Sequence, residues 1–306
     1  IDAQGVIGGG RTEITGSVNA EGIGQGQLFI GRVAANANVV NGSGNVTASL
    51  AGRRGSRFRM QLQSDFAPER ITLVARGNYA GQQITMPRRA VLTRQDGAWV
   101  LAPTQLSFAN GIVIGEGRFG GGATELKVHL AKMPLSLLDV VKEDMGLGGL
   151  ISGIIEYRAV PGGLPTGTAK VEVRGLTRSG LVLASKPVDA FLVAELTDHD
   201  FETRAVIREQ GAQRGRLQGR IVNLPRMGGV MERVRAGDLF AQLRYDGPAE
   251  AVWRLAAIEA FDLTGPLSIA ADVRGTLDQP VARGSLASDE LRLQSALTGT
   301  DIRQMS

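Results

Sequence analysis

The sequence predicts a mainly β protein: a long antiparallel sheet with a few short amphipathic helices. Three observations predict it. Several runs alternate strictly between apolar and polar residues, Gly-rich turn signals separate them, and crossover helices of the kind a parallel sheet needs are mostly missing. Gly is frequent, at 42 of 306 residues, in a chain that is 43% hydrophobic, which reads as many tight turns between many strands.

The run RFRMQLQ at 57–63 sets Phe58, Met60 and Leu62 on one face and Arg57, Arg59, Gln61 and Gln63 on the other. A period of two is that of a strand with one apolar and one wet face. ELKVHLAK groups Leu126, Val128 and Leu130, and TAKVEVRG groups Ala169, Val171 and Val173. FETRAVIRE aligns Phe201, Thr203, Ala205 and Ile207, and LSIAADVRG aligns Leu267, Ile269, Ala271 and Val273. LRLQS at 291–295 alternates again, with Leu291 and Leu293 together. The turns fall at NGSGN 41–45, AGRRG 51–55, QDG 95–97, FANG 108–111 and GGGA 120–123.

Three segments read as short helices. One covers 134–145, with Pro134 near its start, Gly146 beyond its end, and Leu135, Leu138 and Val141 on one face. A weaker one covers 225–236 and contains Gly228 and Gly229. The third, 249–260, follows Pro248 and carries Val252, Leu255 and Ala256. None approaches the ~20 apolar residues that span a bilayer. The organisation expected is a β segment over 1–133 and a second over 134–306 that holds the three helices. Strand-plus-turn spacing gives roughly 15–20 strands. Such a sheet covers its apolar face by packing on a second sheet, by closing into a barrel, or by curling around something apolar.

Composition excludes several functions. The chain has no cysteine, so disulfides, thiol nucleophiles and cysteine-ligated metals are out. The net charge of +4 is scattered and aromatics are 5%, which argues against nucleic acid as a partner. With two histidines and no G-x-S-x-G element, no nucleophilic triad can be assembled, and the chain is not expected to be an enzyme or to use a cofactor. GEGRFG at 115–120 has dinucleotide-site spacing but is followed by a strand, so it reads as a turn or bulge. TDHDFE at 197–202 gathers Asp198, His199, Asp200 and Glu202 between two strands and reads as a polar hairpin tip, not a metal site. His129 falls on the polar face of its strand. NGS at 41–43 and NVT at 45–47 read as loop residues. The first residue is Ile1, from which the chain is expected to be a piece of a longer protein, with any membrane anchor elsewhere.

The last third carries a family resemblance. The helix around Trp253, then Gly265-Pro266-Leu267, then Gly275-Thr276-Leu277 with Pro280 and Gly284, resembles the recurring module of TamB proteins, in the AsmA-like group of bridge-type lipid-transfer proteins. The segment from MPLSLLDVV to GLGGLISGIIEYRAV resembles it too, as a short amphipathic helix leading into a strand. The resemblance implies a long sheet curled into a taco-like open groove with an apolar interior. It implies a parent chain anchored in the inner membrane of a Gram-negative bacterium and crossing the periplasm. It further implies an outer-membrane Omp85-type β-barrel partner, reached through regions outside this piece, and roles in phospholipid transport and outer-membrane protein assembly.

On that reading phospholipid acyl chains lie along the apolar stripe. Its candidates are Phe58, Met60, Leu62, Leu126, Val128, Leu130, Val171, Val173, Ile207, Leu267, Ile269, Val273, Leu291 and Leu293. The short helices are candidate gates or edges of the groove. The alternative is a structural, adhesin-like extracellular β protein in which the same side chains close a dry core.

Overall fold

The fold is described from a computed structural model that covers residues 2–8, 11–140, 145–161, 163–180, 184–255, 261–295 and 299–305. The chain is mainly β, divides into two compact units, and places 1–133 with 139–144 in the first and 134–138 with 145–306 in the second.

The first unit is an antiparallel meander. Its strands are β1 (Asp2–Gly8), β2 (Arg11–Gln25), β3 (Leu28–Val40), β4 (Ser43–Arg54), β5 (Ser56–Ala67), β6 (Arg70–Tyr79), β7 (Gln82–Thr85), β8 (Ala90–Gln95), β9 (Ala98–Phe108), β10 (Gly111–Gly120) and β11 (Ala123–Pro134). Each pairs with the next, except that β6 splits its length between β7 and β8, and β9 pairs with both. No ladder among the described residues joins β1 to β11, so this sheet is open. The hairpins turn where the sequence places them. Asn41 and Gly42 both have positive φ (49° and 78°), as do Asp96 and Gly97 (50° and 76°). That mirror-image turn matches the twist of the flanking strands, and Asn-Gly and Asp-Gly reach it at least cost. AGRRG turns only at its end, since β4 runs on through Arg54 and pairs Arg54 with Ser56.

GEGRFG lies inside β10, where the register with β9 shifts between Gly115 and Gly117. The third glycine, Gly120, opens a two-residue turn into β11 and no helix, so the segment is a bulge followed by a turn.

The second unit holds an eight-stranded antiparallel sheet. In spatial order it runs β12 (Leu147–Ala159), β13 (Thr166–Arg178), β14 (Val188–Leu196), β15 (Phe201–Glu209), β16 (Ala212–Val222), β17 (Asp238–Pro248), β19 (Pro266–Gly275) and β20 (Pro280–Ala287). A separate three-stranded sheet joins β18 (Asp262–Thr264), β21 (Leu291–Ser295) and β22 (Thr300–Met305). Helix α1 (Val230–Ala236) precedes β17, and α2 (Ala249–Leu255) follows it.

The described parts of the three expected helices differ from the sequence expectation in different ways. The first is a 3₁₀ turn over Leu135–Val140, with Pro134 still in β11; Leu135 is buried but Leu138 is 40% exposed, so the expected apolar face is not formed. Residues 141–144 lie outside the described part. The second begins at Val230, because Pro225 to Gly229 take a bend in which Gly228 has φ +99°. The third ends its described part at Leu255; residues 256–260 lie outside it. No helix of the described residues is long and apolar enough to cross a membrane.

Candidate apolar faces of the two sheets

Residues paired across antiparallel strands share a face, so the ladders can be followed from strand to strand. In the first unit one row runs Ile14–Val39–Gly44–Phe66–Ile71–Leu92–Leu101–Gly117–Leu126. No charge interrupts it from β2 to β11. Phe58, Met60 and Leu62 stand on the same face as Phe66, and Val128 and Leu130 on the same face as Leu126. The structure therefore brings six predicted residues, more than sixty positions apart in sequence, onto one face.

Burial separates the two faces: on the apolar one Ala75, Tyr79 and Phe108 are buried, and Tyr79 and Phe108 are in ring contact. Arg57, Arg59, Gln61 and Gln63 are exposed. Phe58, Met60, Leu62, Leu126, Val128 and Leu130 are half-buried. His129 is half-buried, opposite Ile114 on the other face.

The second unit repeats the pattern. A row runs Gly153–Val171–Leu192–Ala205–Leu217–Leu243–Ala271–Gly284. The row on one side includes Val173, Ile207, Tyr245 and Ile269, and the row on the other includes Thr203, Ala241 and Val273. None of the three carries a charge across the eight strands. Val171, Val173, Ile207, Ile269 and Val273 are half-buried.

Closed clusters bound this strip at both strand ends. At one end Ile221, Leu224 and Leu239 are buried, and Leu196, Phe201, Val234 and Val273 pack on them. At the other, Ala249, Leu263, Leu267 and Leu291 are buried, with Trp253, Ile269 and Leu293 against them. Leu267 is 3% exposed and Leu291 7%. Leu291 and Leu293 belong to the small sheet, not the eight-stranded face. These three leucines line closed packing between α2 and β18; LRLQS alternates because one side of β21 meets that helix.

The opposite faces hold the charges. Arg244 pairs with Asp272 at 3.0 Å, Arg32 with Glu21 at 3.1 Å, and Arg220 with Glu202 at 3.2 Å and also with Asp200. The hydrogen bond from Arg220 to Asp200 raises the guanidinium's already high pKa. Open depressions on this side include one of about 420 Å³ bordered by Asn36, Gln61 and Arg76, and one of about 330 Å³ bordered by Glu202, Arg220 and Arg274.

TDHDFE caps the β14–β15 hairpin. The Thr197 hydroxyl accepts from the backbone N–H of Asp200 at 2.9 Å and of His199 at 3.2 Å, closing the turn. His199 Nε2 lies 3.2 Å from Asp198, and Asp200 is held by Arg220.

Sequence reasoning missed Arg233. It sits on α1 at 1% exposure and donates from Nε to the Pro225 carbonyl at 2.6 Å and from Nη2 to the Asp198 carbonyl at 2.8 Å. It thereby clips the hairpin tip to the loop before α1. No local pattern marks it, because Arg on a short helix is ordinarily solvated. Also missed were the small residues of β3 and β4, such as Ala35 and Ala48, whose pairing extends the apolar face.

Protein-family models, curated proteins and solved structures were all compared with the chain, and none matches.

Proposed function

We propose that the chain is a segment of a periplasm-spanning hydrophobic conduit, in which phospholipid acyl chains lie along the charge-free rows of curled sheets and headgroups stay in water. One observation carries the proposal: both sheets join apolar side chains across eight or more strands with no intervening charge, and leave most of them half-buried, with Ala75, Tyr79 and Tyr245 among the exceptions. A closed sandwich core would bury the same residues, as the Leu267 cluster does.

The energetics fit a passage. Each CH₂ removed from water contributes about 0.8 kcal/mol, so a long acyl chain gains on the order of 10 kcal/mol over exposure. Rows of similar Val, Leu, Ala and Gly side chains offer many near-equal positions and no deep trap. The resemblance of 134–306 to TamB supports the same reading. It extends it to a parent anchored in the inner membrane, working with an outer-membrane Omp85-type barrel in lipid transport and outer-membrane protein assembly.

The test uses adjacent positions on opposite faces. A photo-reactive amino acid at Leu62 or Val171 is expected to cross-link phospholipid in cells, whereas one at Gln61 or Lys170 is not. Equal labelling of both faces, or none at either, together with a lipid-free organic extract of the purified chain, would favour the structural, adhesin-like alternative.

A further inference from the structure

The polar face of the first unit carries an unbalanced basic patch on β3 to β5. Between Glu21 and Asp65 the sequence has five arginines and no carboxylate. Arg53 stands directly opposite Arg57 across β4 and β5. Arg59 follows on the same face, opposite Ala51, which in turn faces Arg32. Like charges directly opposite each other destabilise a sheet. Among the described residues the one carboxylate paired with any of these four arginines is Glu21, 3.1 Å from Arg32. Asp65, the next along β5, lies about 20 Å from Arg59 on the extended strand, and is held by Arg89.

The strands build a recess at this patch. A bulge at Gly31 shifts the register with β4 between Ile30 and Arg32, so Phe29 and Arg32 both stand on the face of Arg53. In a regular strand they would point to opposite faces. The Arg53 guanidinium lies over the Phe29 ring, 5.7 Å from its centroid. Gly31 and Ala51 leave room for a depression of about 460 Å³ bordered by Phe29 and the four arginines. β3, β4 and β5 are each paired on both sides, so a strand added at an edge of the sheet does not complete this site.

We propose that this depression is a phosphate-binding site, which takes a phosphoryl group between Arg53 and Arg57 with Arg59 and Arg32 at its border. A bridging phosphate turns the repulsive Arg53–Arg57 pair into two charge-assisted contacts, and the planar guanidinium fork matches phosphate oxygens. Stacking on Phe29 covers one side of the Arg53 guanidinium and leaves its N–H edge for the ligand. The second unit supplies the contrast. Arg208 lies over the Phe191 ring at 4.9 Å, but it faces Asp189 across β14 and β15, so its charge is already matched. The phosphoryl group belongs either to a soluble phosphate compound or to a lipid headgroup, which present the same oxygens. The site is on the face opposite Phe58, Met60 and Leu62, and it does not rest on the conduit proposal.

Two probes test the site on the full chain. Inorganic pyrophosphate is titrated calorimetrically at low salt, and vesicles of phosphatidylcholine with or without phosphatidic acid are co-sedimented with the protein. Arg57→Gln is expected to weaken binding about five- to tenfold, as loss of a charge-assisted contact does, and Arg208→Gln less than about twofold. Both arginines are exposed, so circular dichroism is expected to show both variants folded. Pyrophosphate binding without vesicle binding assigns the site to a soluble compound. Vesicle binding that requires phosphatidic acid and Arg57 assigns it to a headgroup. Binding of neither probe, or equal losses in Arg57→Gln and Arg208→Gln, would overturn the proposal.

Discussion

Met60 and Gly77 face each other across β5 and β6, and a Cβ at Gly77 would fall 2.6 Å from the Met60 sulfur and 2.1 Å from the Arg59 carbonyl oxygen. The sulfur could swing aside, but the carbonyl is backbone and could not. The absence of a side chain at 77 thus lets a large one stand at 60 and holds the two strands in register. Gly77→Ala is expected to cost about 1–3 kcal/mol, as overpacking does. Gly115→Ala, where nothing lies within 4 Å of the added Cβ, is expected to cost well under that. Urea unfolding followed by the fluorescence of Trp99, in the same unit, checks the pair.

Arg233 is buried, yet it donates to the carbonyls of Pro225 and Asp198. Replacing it by Leu keeps apolar volume and removes the two hydrogen bonds to the Pro225 and Asp198 carbonyls. The expected loss is about 2–4 kcal/mol for the second unit, since a hydrogen bond to a charged group contributes about 1.5–3 kcal/mol. Glu232→Gln, one residue away and exposed, is expected to change stability by less than about 0.5 kcal/mol. Thermal unfolding of the two variants side by side distinguishes a clip from a generic helix effect.

Tyr245 ties the apolar face to the start of α2, donating its hydroxyl to the Pro248 carbonyl at 2.8 Å. Burial, followed by the negative charges of Glu209 and Glu250, pushes its pKa up to about 12. Between pH 10 and 12 the unfolded phenol loses its proton before the folded one does. The folded state then holds more protons, so the stability contributed below pH 10 is lost as pH rises through that window. Tyr245→Phe is expected to lose about 1 kcal/mol at neutral pH with the hydrogen bond. It is also expected to flatten the decline between pH 10 and 12, as denaturant midpoints measured across that range would show.

The alternating strands were legible because one face repels water and the other does not. RFRMQLQ announces β5 directly, and Asn41-Gly42 and Asp96-Gly97 announce their turns. The faces were legible only within a strand. That Leu62 and Leu126 share one depends on ladders through β6 to β10 and on a shift at Gly115/Gly117, which no local pattern encodes. Leu291 and Leu293 show the converse error: alternation is equally good in a strand whose apolar side is covered by a helix. The start of the second helix was misplaced although Gly228 and Gly229 marked it as weak: the chain obeys these breakers and starts the helix at Val230.

The same substitution at two face positions separates an open strip from a closed end. Val128 is half-buried opposite Gly115. Ile269 is equally apolar but packs against the cluster of Leu267, Leu263 and Ala249. A carboxylate at 128 keeps access to water, so Val128→Asp is expected to cost about 1 kcal/mol and leave the sheet folded. One at 269 is forced toward apolar packing, so Ile269→Asp is expected to cost about 3 kcal/mol or more. On the conduit proposal Val128→Asp also puts a charge on an otherwise charge-free row, and lipid cross-linking at Leu62 is expected to fall severalfold while the melting temperature barely moves. A Val128→Asp chain as unstable as Ile269→Asp would mean that the face near β11 is covered, and one that kept full cross-linking would mean that acyl chains do not travel along it.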